Sequence, residues 1–148
     1  MAKSYTRQVI GRIDKADFPL LGLKDLDVKI DSGAFTSSLH CHHIVEKNGK
    51  LQFSLLDPSH DQYHNKPIES AVFKVKKVRS SNGSQEERYV ITTEVVLFGK
   101  THKLDLTLTN RGDMNFPVLL GRKLLNKKFI VDTSMTNLSH NEKMKNQE

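Results

Sequence analysis

Cysteine is nearly absent from this sequence, and so are long apolar runs. The 148 residues include a single cysteine, Cys41, which excludes a disulfide within the chain and suits a reducing compartment. No apolar stretch approaches the roughly 20 residues of a membrane-spanning helix, and the segment from Met1 to Arg7 lacks the apolar core of a signal peptide. We therefore expect a cytoplasmic protein without a membrane segment, long enough to bury about two thirds of its unfolded surface.

The sequence also lacks the local patterns of two cofactor classes. No glycine-rich phosphate loop is present, so we expect no ATP site in this chain. The run from His40 to His43 alternates if it forms a strand, so that only two of its four ligand side chains face one way. His60 and His64 have the spacing of a zinc-binding helix but lack the glutamate of His-Glu-x-x-His, and their segment reads as a loop. We expect no cofactor; catalytic zinc stays open as a lesser alternative.

Positive charge exceeds negative charge, with a formal net charge of +6 and a pI of about 9.4. This permits an acidic partner such as nucleic acid, a ribosome or a glutamate-rich peptide. The positive residues are scattered, however, and the densest run holds Lys74, Lys76, Lys77 and Arg79. Because Lys74 and Lys76 alternate with apolar residues, we interpret the run as the wet face of a strand. A surface for phosphate or for an acidic peptide is the open alternative.

Short alternating segments separated by glycine turns make up most of the chain. Strands are predicted at 5–13, 26–30, 34–45, 51–56, 68–78, 89–98, 102–109, 118–120 and 129–131, with 14–18 read as a polar turn. Residues 122–127 are the one helical piece, and no internal repeat is evident. This pattern predicts an all-β, single-domain closed β-barrel with one short C-terminal helix. The domain is predicted over 1–132, followed by a polar, frayed tail over 133–148.

One stretch concentrates the candidate chemistry. Val28 and Ile30 alternate with Lys29 as in a strand, and the strand runs directly into Asp31. The following Ser-Gly-Ala is small, and a glycine permits a tight turn. Asp31 is therefore predicted where a strand ends and the chain bends. On local grounds alone it can be a catalytic acid or an aspartate that caps its own turn.

A second stretch, residues 116–125, gives Asp31 a context. It reads as a short apolar strand, a glycine and a turn of helix. The chain resembles the retropepsin-like aspartic peptidases in having Asp-Ser-Gly-Ala early and Leu-Leu-Gly-Arg late, in that order. With segments 29–34, 36–40, 78–81, 87–91 and 115–122, the chain resembles from Val9 to Asp132 a bacterial group of that family. Its members are labelled ATP-dependent zinc proteases and occur beside, or fused to, ATP-grasp ligases that add glutamate to proteins.

The resemblance implies a barrel of the retropepsin type and assigns roles to residues. Asp31 would be the catalytic acid, with Ser32 bonded near the floor of the site, Gly33 making the turn and Ala34 leaving room for substrate backbone. The late hydrophobic-hydrophobic-glycine element would pack beneath the acid. Further supporting or substrate-binding residues would be Thr36, Arg79, Ser80, Ser81, Leu120, Gly121 and Arg122. In retroviral enzymes such an arginine pairs with an acid after the catalytic turn; here Phe35 and Thr36 occupy that site, so Arg122 needs another partner, for which an acid elsewhere is the expectation.

Aspartic proteolysis also needs a second carboxylate. Asp132-Thr133-Ser134 is a second candidate, but it lacks the glycine. The resemblance therefore implies a homodimer in which a twin Asp31 supplies the second acid. A hairpin over 80–88 is expected to form the flap that closes over substrate, and the turn at Asn48-Gly49 is its rival.

The sequence thus predicts an aspartic endopeptidase that hydrolyses peptide bonds, with glutamate-modified peptides suggested by the family context. Its expected partners are a peptide or protein substrate, a second copy of the chain and an ATP-grasp ligase; nucleic acid is not expected. Two alternatives stay open. One is a non-catalytic basic β-barrel that binds a ligase, a ribosomal protein or RNA, and the other is a zinc-dependent hydrolase that uses the histidine cluster.

Overall fold

The computed structural model describes residues 7–56, 60–63, 67–79, 83–110 and 116–147, with the backbone alone at Val78 and Arg79. These residues form mostly strands, with two short helices and a 3-10 turn at Pro19–Leu21. The strands are β1 Gln8–Ile10, β2 Ile13–Phe18, β3 Leu23–Ile30, β4 Ser37–Lys47, β5 Lys50–Leu55, β6 Ile68–Ser70, β7 Phe73–Arg79, β8 Gln85–Leu97, β9 Lys100–Thr109, β10 Val118–Leu120 and β11 Phe129–Val131. The helices are α1 Arg122–Leu125 and α2 Leu138–Asn146.

Six strands close into a barrel. Their order is β10-β3-β2-β8-β9-β4, and β4 pairs with β10 to complete the circle. Strands β5 and β6 continue the sheet beyond β4, and β7 pairs with β8. Outside the barrel, β1 and β11 form a parallel ribbon. Closure leaves the six strands without an open edge, and the predicted all-β barrel is confirmed.

The core follows from alternation along the barrel strands. On β9 the side chains of Leu104, Leu106 and Leu108 are buried, and on β3 those of Val28 and Ile30 are buried. Full burial of one such side chain contributes about 1.5–3 kcal/mol to folding. The opposite face of β9 therefore remains for polar residues, and this face carries the candidate site.

The strand predicted over 68–78 is divided into β6 and β7, and the strand predicted from residue 34 begins at Ser37. Two further segments differ in type from the sequence prediction. Residues 14–18, read as a polar turn, lie in β2, where Ala16 and Phe18 face the core. The acidic residue that suggested a turn, Asp14, is 1% exposed. Its carboxylate has a structural use, because Oδ2 accepts the backbone N–H of Ser139 at 2.9 Å.

The second difference is α2, which occupies the region predicted to be a frayed polar tail. The fold therefore has two short helices rather than one. Helix α2 packs on β2 and is held by charge: Lys143 Nζ lies 2.7 Å from Asp25 Oδ1 and 3.1 Å from Asp17 Oδ2. The hydrogen bond from Lys143 holds the pKa of Asp25 below its ordinary value. Among the described residues, no helix has the length and apolar character needed to cross a membrane.

Candidate active site

Asp31 lies in a loop that crosses the end of another strand. The loop, residues 31–36, connects β3 to β4, but these strands are not neighbours because β10 lies between them. Strand β10 runs parallel to β3, with Leu120 opposite Ile30, and antiparallel to β4, with Leu119 opposite Ser38. The two segments that carry the family resemblance therefore meet at this point of the barrel.

Backbone hydrogen bonds fix the loop on the segment that follows β10. Asp31 N–H donates to Leu120 O at 2.9 Å, Arg122 N–H to Ala34 O at 2.8 Å, and Lys123 N–H to Phe35 O at 2.8 Å. Gly121 N–H donates to the buried hydroxyl of Ser37 at 3.0 Å. These bonds satisfy the polar backbone of a loop that would otherwise be costly to bury, and they set the position of Asp31.

Gly121 is required here by space. A Cβ atom at this position would lie 2.6 Å from Thr36 O and 2.8 Å from Phe35 O. Both neighbours are backbone atoms of the fixed loop, so they cannot turn aside as a side chain would. The glycine of the late motif therefore allows the two segments to approach each other.

Arg122 has a different partner from the acid that the sequence analysis expects. Its Nη1 donates to the carbonyl oxygen of Ser32 at 2.9 Å, and its guanidinium lies 5.9 Å from the centre of the Phe35 ring. The expectation of an acid elsewhere is wrong, because the cation binds the loop through a carbonyl and an aromatic face. Arg122 thus positions the residue next to Asp31.

The Asp31 carboxylate faces a cavity of about 190 Å³. The cavity is lined by Asp31, Ala34, Thr36, Ser38, Arg88, Thr107, Thr109 and Leu119. Asp31 is the one acid among these described lining residues. Its Oδ1 accepts the Gly33 N–H at 3.1 Å, and the side chain is neither fully exposed nor fully buried. The site therefore presents a single carboxylate surrounded by hydroxyl groups and one guanidinium.

Gly33 lies in the turn expected for it, because Ala34 N–H donates to Asp31 O at 3.2 Å across Ser32 and Gly33. It is not among the residues with positive φ. A Cβ atom there would lie 3.3 Å from Asp31 Oδ1, which is tighter than most contacts of a real Cβ. The glycine therefore leaves room beside the carboxylate rather than permitting a left-handed turn.

The structure brings most of the predicted site residues together. Ala34 and Thr36 line the cavity with Asp31, Ser32 contributes its carbonyl, and Leu120, Gly121 and Arg122 lie in the supporting segment. The side chain of Arg79, and Ser80 and Ser81, lie outside the described residues. Five lining residues were not among the predicted site residues: Ser38, Arg88, Thr107, Thr109 and Leu119. The alternation of β9 was the available signal for Thr107 and Thr109, since it sets them opposite the buried leucines.

The hairpin of β7 and β8 contributes Arg88 to the lining of this cavity. Arg88, on β8 opposite Lys76 of β7, lines the cavity and lies 3.5 Å from Glu86. The rival turn at Asn48-Gly49 joins β4 to β5, and its residues are not among those that line the cavity. This favours the first hairpin as the flap, although its tip at 80–82 lies outside the described residues.

A second turn, at Asp132, has the same pattern of backbone hydrogen bonds as the Asp31 turn. We call this pattern the backbone frame. The structure therefore contains a repeated arrangement where the sequence shows no repeat. Asp132 follows β11 as Asp31 follows β3, and its N–H donates to Ile10 O at 2.8 Å. Gly11 and Arg12 follow Ile10 as Gly121 and Arg122 follow Leu120. Arg12 N–H donates to Met135 O at 2.9 Å, and its Nη1 donates to Thr133 O at 3.3 Å. A Cβ atom on Gly11 would overlap the backbone of Met135.

The two turns differ at the carboxylate. Asp132 Oδ1 accepts both the hydroxyl of Ser134 at 2.6 Å and its N–H at 3.0 Å. The hydroxyl first, and the N–H next, hold the pKa of Asp132 below its ordinary value. Asp132 is exposed and is not among the residues that line the Asp31 cavity. It therefore cannot serve that cavity as the second acid.

The histidine cluster does not fit a metal centre. His40 and Cys41 are buried, and burial raises the pKa of the Cys41 thiol to about 12, which disfavours the thiolate that a metal would bind. The rings of His40 and His42 pack edge to face with centres 4.9 Å apart. Across the described part of the chain, no three histidine, cysteine or acidic residues are placed to hold a metal ion. His64 lies outside the described residues.

Comparisons with known proteins agree with this geometry. A family model described as RimB-like, retropepsin-like aspartic endopeptidase RimB, matches residues 9–142. A protein from Shewanella pealeana named probable alpha-L-glutamate ligase is 36% identical over 135 residues, which cover 88% of this chain and 30% of that protein. A protein of the same name from Desulfotalea psychrophila is 30% identical over 139 residues, covering 91% of this chain and 30% of its own length. The chain thus spans less than a third of the curated relatives it matches.

A crystal structure from Legionella pneumophila, of a protein described as having unknown function, is similar throughout. The TM-score is 0.70 at 28% sequence identity, and the match covers 90% of this chain and 99% of that one. The overall fold is therefore shared with a solved structure.

Proposed function

This chain belongs to the RimB-like family of retropepsin-like aspartic endopeptidases, and on that premise we propose that it hydrolyses peptide bonds with a water held between two Asp31 carboxylates. The observation that carries the proposal is the placement of Asp31. It is the one acid among the described residues lining a cavity at the edge of the barrel, on a loop fixed by backbone bonds to β10 and α1. Rigid placement of this kind is what proton transfer to a bound water requires.

In this proposal the second carboxylate of the pair comes from another copy of the chain. Two carboxylates a few ångströms apart cannot both ionise cheaply, so such a pair holds one shared proton. Asp132 and Asp105, the two candidates considered among the described residues, are held by other partners. Asp132 is bonded by its own turn, and Asp105 is bonded by Lys123 first and Thr92 next, which hold its pKa below the ordinary value. A two-fold homodimer would set Asp31 of each protomer at one interface.

The reaction then follows from the shared proton. The first carboxylate takes a proton from the water while the water oxygen attacks the scissile carbonyl carbon. The second, protonated carboxyl donates its proton to the carbonyl oxygen. On collapse, the first carboxyl donates its proton to the leaving nitrogen as the C–N bond breaks. A hydroxyl of the intermediate returns a proton to the second carboxylate, which restores the starting pair. Thr36, Ser38 and Arg88 supply polar groups for the substrate in this cavity.

The substrate class we propose is a peptide that carries added glutamates. Two observations support it. The curated relatives are named glutamate ligases and contain a region like this chain within a longer protein. The chain itself has a net charge of +6, which suits an acidic substrate. A glutamate ligase is the corresponding partner.

The experiment compares two matched variants, Asp31→Asn and Asp132→Asn, on a library of glutamate-rich peptides. Asp31→Asn is expected to lower kcat by about 10²- to 10⁴-fold, the range for loss of a general acid or base, whereas Asp132→Asn keeps the wild-type rate. Chelator leaves the activity unchanged, and sedimentation at assay concentration shows a dimer.

Three results would contradict the proposal. They are wild-type cleavage by Asp31→Asn, activity that chelator abolishes and zinc restores, and an active species that is strictly monomeric. Tight, salt-sensitive binding without any cleavage would instead favour a binding module.

A further inference from the structure

A second cavity, of about 350 Å³, opens on the outer face of the barrel and is rich in lysine. It is lined by Ser37, Lys74, Thr92, Lys103, Leu104, Asp105, Lys123 and Leu124. We call the part formed by Lys74, Lys103 and Lys123 the lysine groove. Its cations come from β7, β9 and α1, three elements that are far apart in sequence and that the fold brings together.

The lysine groove adjoins the Asp31 cavity. Residues two apart on a strand face the same side of a sheet, so Lys103 and Asp105 share a face of β9 with Thr107, which lines the Asp31 cavity. Ser37, the first residue of β4, lines the lysine groove, and its chain neighbours Thr36 and Ser38 line the Asp31 cavity. A peptide in extended conformation can therefore pass from one cavity into the other along the same sheet face.

The charges in the lysine groove are only partly matched. Asp105 is its one acid among the described lining residues, and it binds Lys123 at 2.8 Å and the Thr92 hydroxyl at 2.7 Å. Lys74 and Lys103 have exposed side chains, and no ion pair joins either of them to another described residue. Two positive charges therefore remain available beside the candidate active site.

We propose that the lysine groove binds acidic side chains of the substrate away from the scissile bond, and so determines specificity for acidic peptides. The inference rests on the proposed function, because it gives that reaction its recognition residues. Lys74 and Lys103 bind the carboxylates, while Lys123 is positioned by Asp105. Leu104 and Leu124 lie beneath the groove and are buried, and the described lining contains no aromatic ring. A groove without a stacking platform suits an acidic peptide better than single-stranded nucleic acid.

A second lysine cluster provides a matched control. Lys100, Lys127 and Lys128 line a cavity of about 360 Å³ with His102 and Phe129. This cavity shares no lining residue with the Asp31 cavity or with the lysine groove. Removing two charges from it changes the net charge of the protein by the same amount as removing two from the lysine groove.

The test measures binding by the full chain carrying Asp31→Asn, so that no cleavage intervenes. Fluorescence anisotropy follows a labelled hexaglutamate peptide and, separately, a hexaglutamine peptide. Lys74→Gln with Lys103→Gln is expected to weaken hexaglutamate binding by about three- to tenfold, as for two exposed ion pairs. Lys127→Gln with Lys128→Gln leaves it unchanged. Hexaglutamine binds more weakly than hexaglutamate, and an RNA oligonucleotide does not displace the peptide.

Equal weakening by both double variants would overturn the proposal, because binding would then depend on net charge alone. It would also be overturned by no weakening, by equal affinity for the two peptides, or by displacement by RNA. All four lysines are exposed, so both double variants are expected to keep the wild-type unfolding midpoint. Cleavage by wild type with no effect of Lys74 and Lys103 would overturn this inference alone, whereas groove-dependent binding without any cleavage would overturn the proposed function alone.

Discussion

The turns that begin at Asp31 and Asp132 share one backbone frame and differ in what holds the carboxylate. In both, the aspartate N–H donates to the residue before a Gly-Arg pair, and the arginine N–H donates back to the residue three positions after the aspartate. In the first turn, the described hydrogen bond to the carboxylate comes from Gly33 N–H. In the second, the backbone and the hydroxyl of Ser134 both bind one oxygen.

From this difference we infer that the backbone frame sets the position of the aspartate. The third residue of the turn, Gly33 or Ser134, decides how many hydrogen bonds the carboxylate accepts. A serine hydroxyl stabilises the ionised carboxylate and occupies the space beside it. A glycine leaves that space open to the cavity. The fold thus contains the candidate active turn at Asp31 and, for comparison, the Asp132 turn, whose carboxylate already accepts two hydrogen bonds from Ser134.

The largest effect is expected from breaking the shared frame. Gly121→Ala and Gly11→Ala each place a Cβ against backbone carbonyls, so each should lower the free energy of unfolding by about 1–3 kcal/mol, as overpacking does. Gly121→Ala should also abolish cleavage, because it displaces the Asp31 loop, whereas folded Gly11→Ala protein should keep it. Denaturant unfolding and a cleavage assay measure the two effects. Wild-type stability of either variant would show that the close approach is not rigid.

A smaller effect is expected from converting the first turn toward the second. Gly33→Ser brings a hydroxyl next to Asp31 Oδ1, as Ser134 does for Asp132. A hydrogen bond to a charged group is worth about 1.5–3 kcal/mol, so the ionised carboxylate is stabilised and kcat falls by about tenfold or more. Steady-state kinetics measure this, with Gly33→Ala as the variant that adds bulk without the hydroxyl. Equal kcat for the two variants would mean that bulk, rather than the hydrogen bond, inhibits.

The smallest effect is expected from loosening the second turn. Ser134→Ala removes the hydroxyl that lowers the pKa of Asp132, so this pKa should rise toward its ordinary value of 3.8. The folded pKa in wild type is below the unfolded one, so the contribution to stability is present above about pH 4 and is lost as pH falls through the folded pKa. NMR titration of the carboxyl and unfolding at neutral and acid pH test this. An unchanged Asp132 titration would assign the shift to the backbone N–H.

The strands and the meeting of the two family motifs could be predicted from the sequence, whereas the repeat of the frame could not. Alternation is local, so β3, β8 and β9 are visible in the residues themselves. The two frames are assembled in opposite chain order: Gly121 and Arg122 come long after Asp31, whereas Gly11 and Arg12 come long before Asp132. No local pattern relates segments that pair over such separations.

Helix α2 was missed for a different physical reason. Its residues have no apolar stripe, and its position is set by Asp14, Asp17 and Asp25 on and beside β2. A helix held by charges from distant strands looks like a polar tail when only its own residues are read. Arg88 was predicted within the flap hairpin, but its place at the cavity depends on the pairing of β8 with β9.

The insertion of β10 between β3 and β4 has a consequence for the order of events during synthesis. Asp31 leaves the ribosome before β10 does, and the arginine that binds the Ser32 carbonyl lies 90 residues beyond that carbonyl. A nascent chain that ends before β10 carries the acid without the scaffold that holds it. Such distant pairings form late, so a growing chain lacks the fixed Asp31 loop until its barrel is complete.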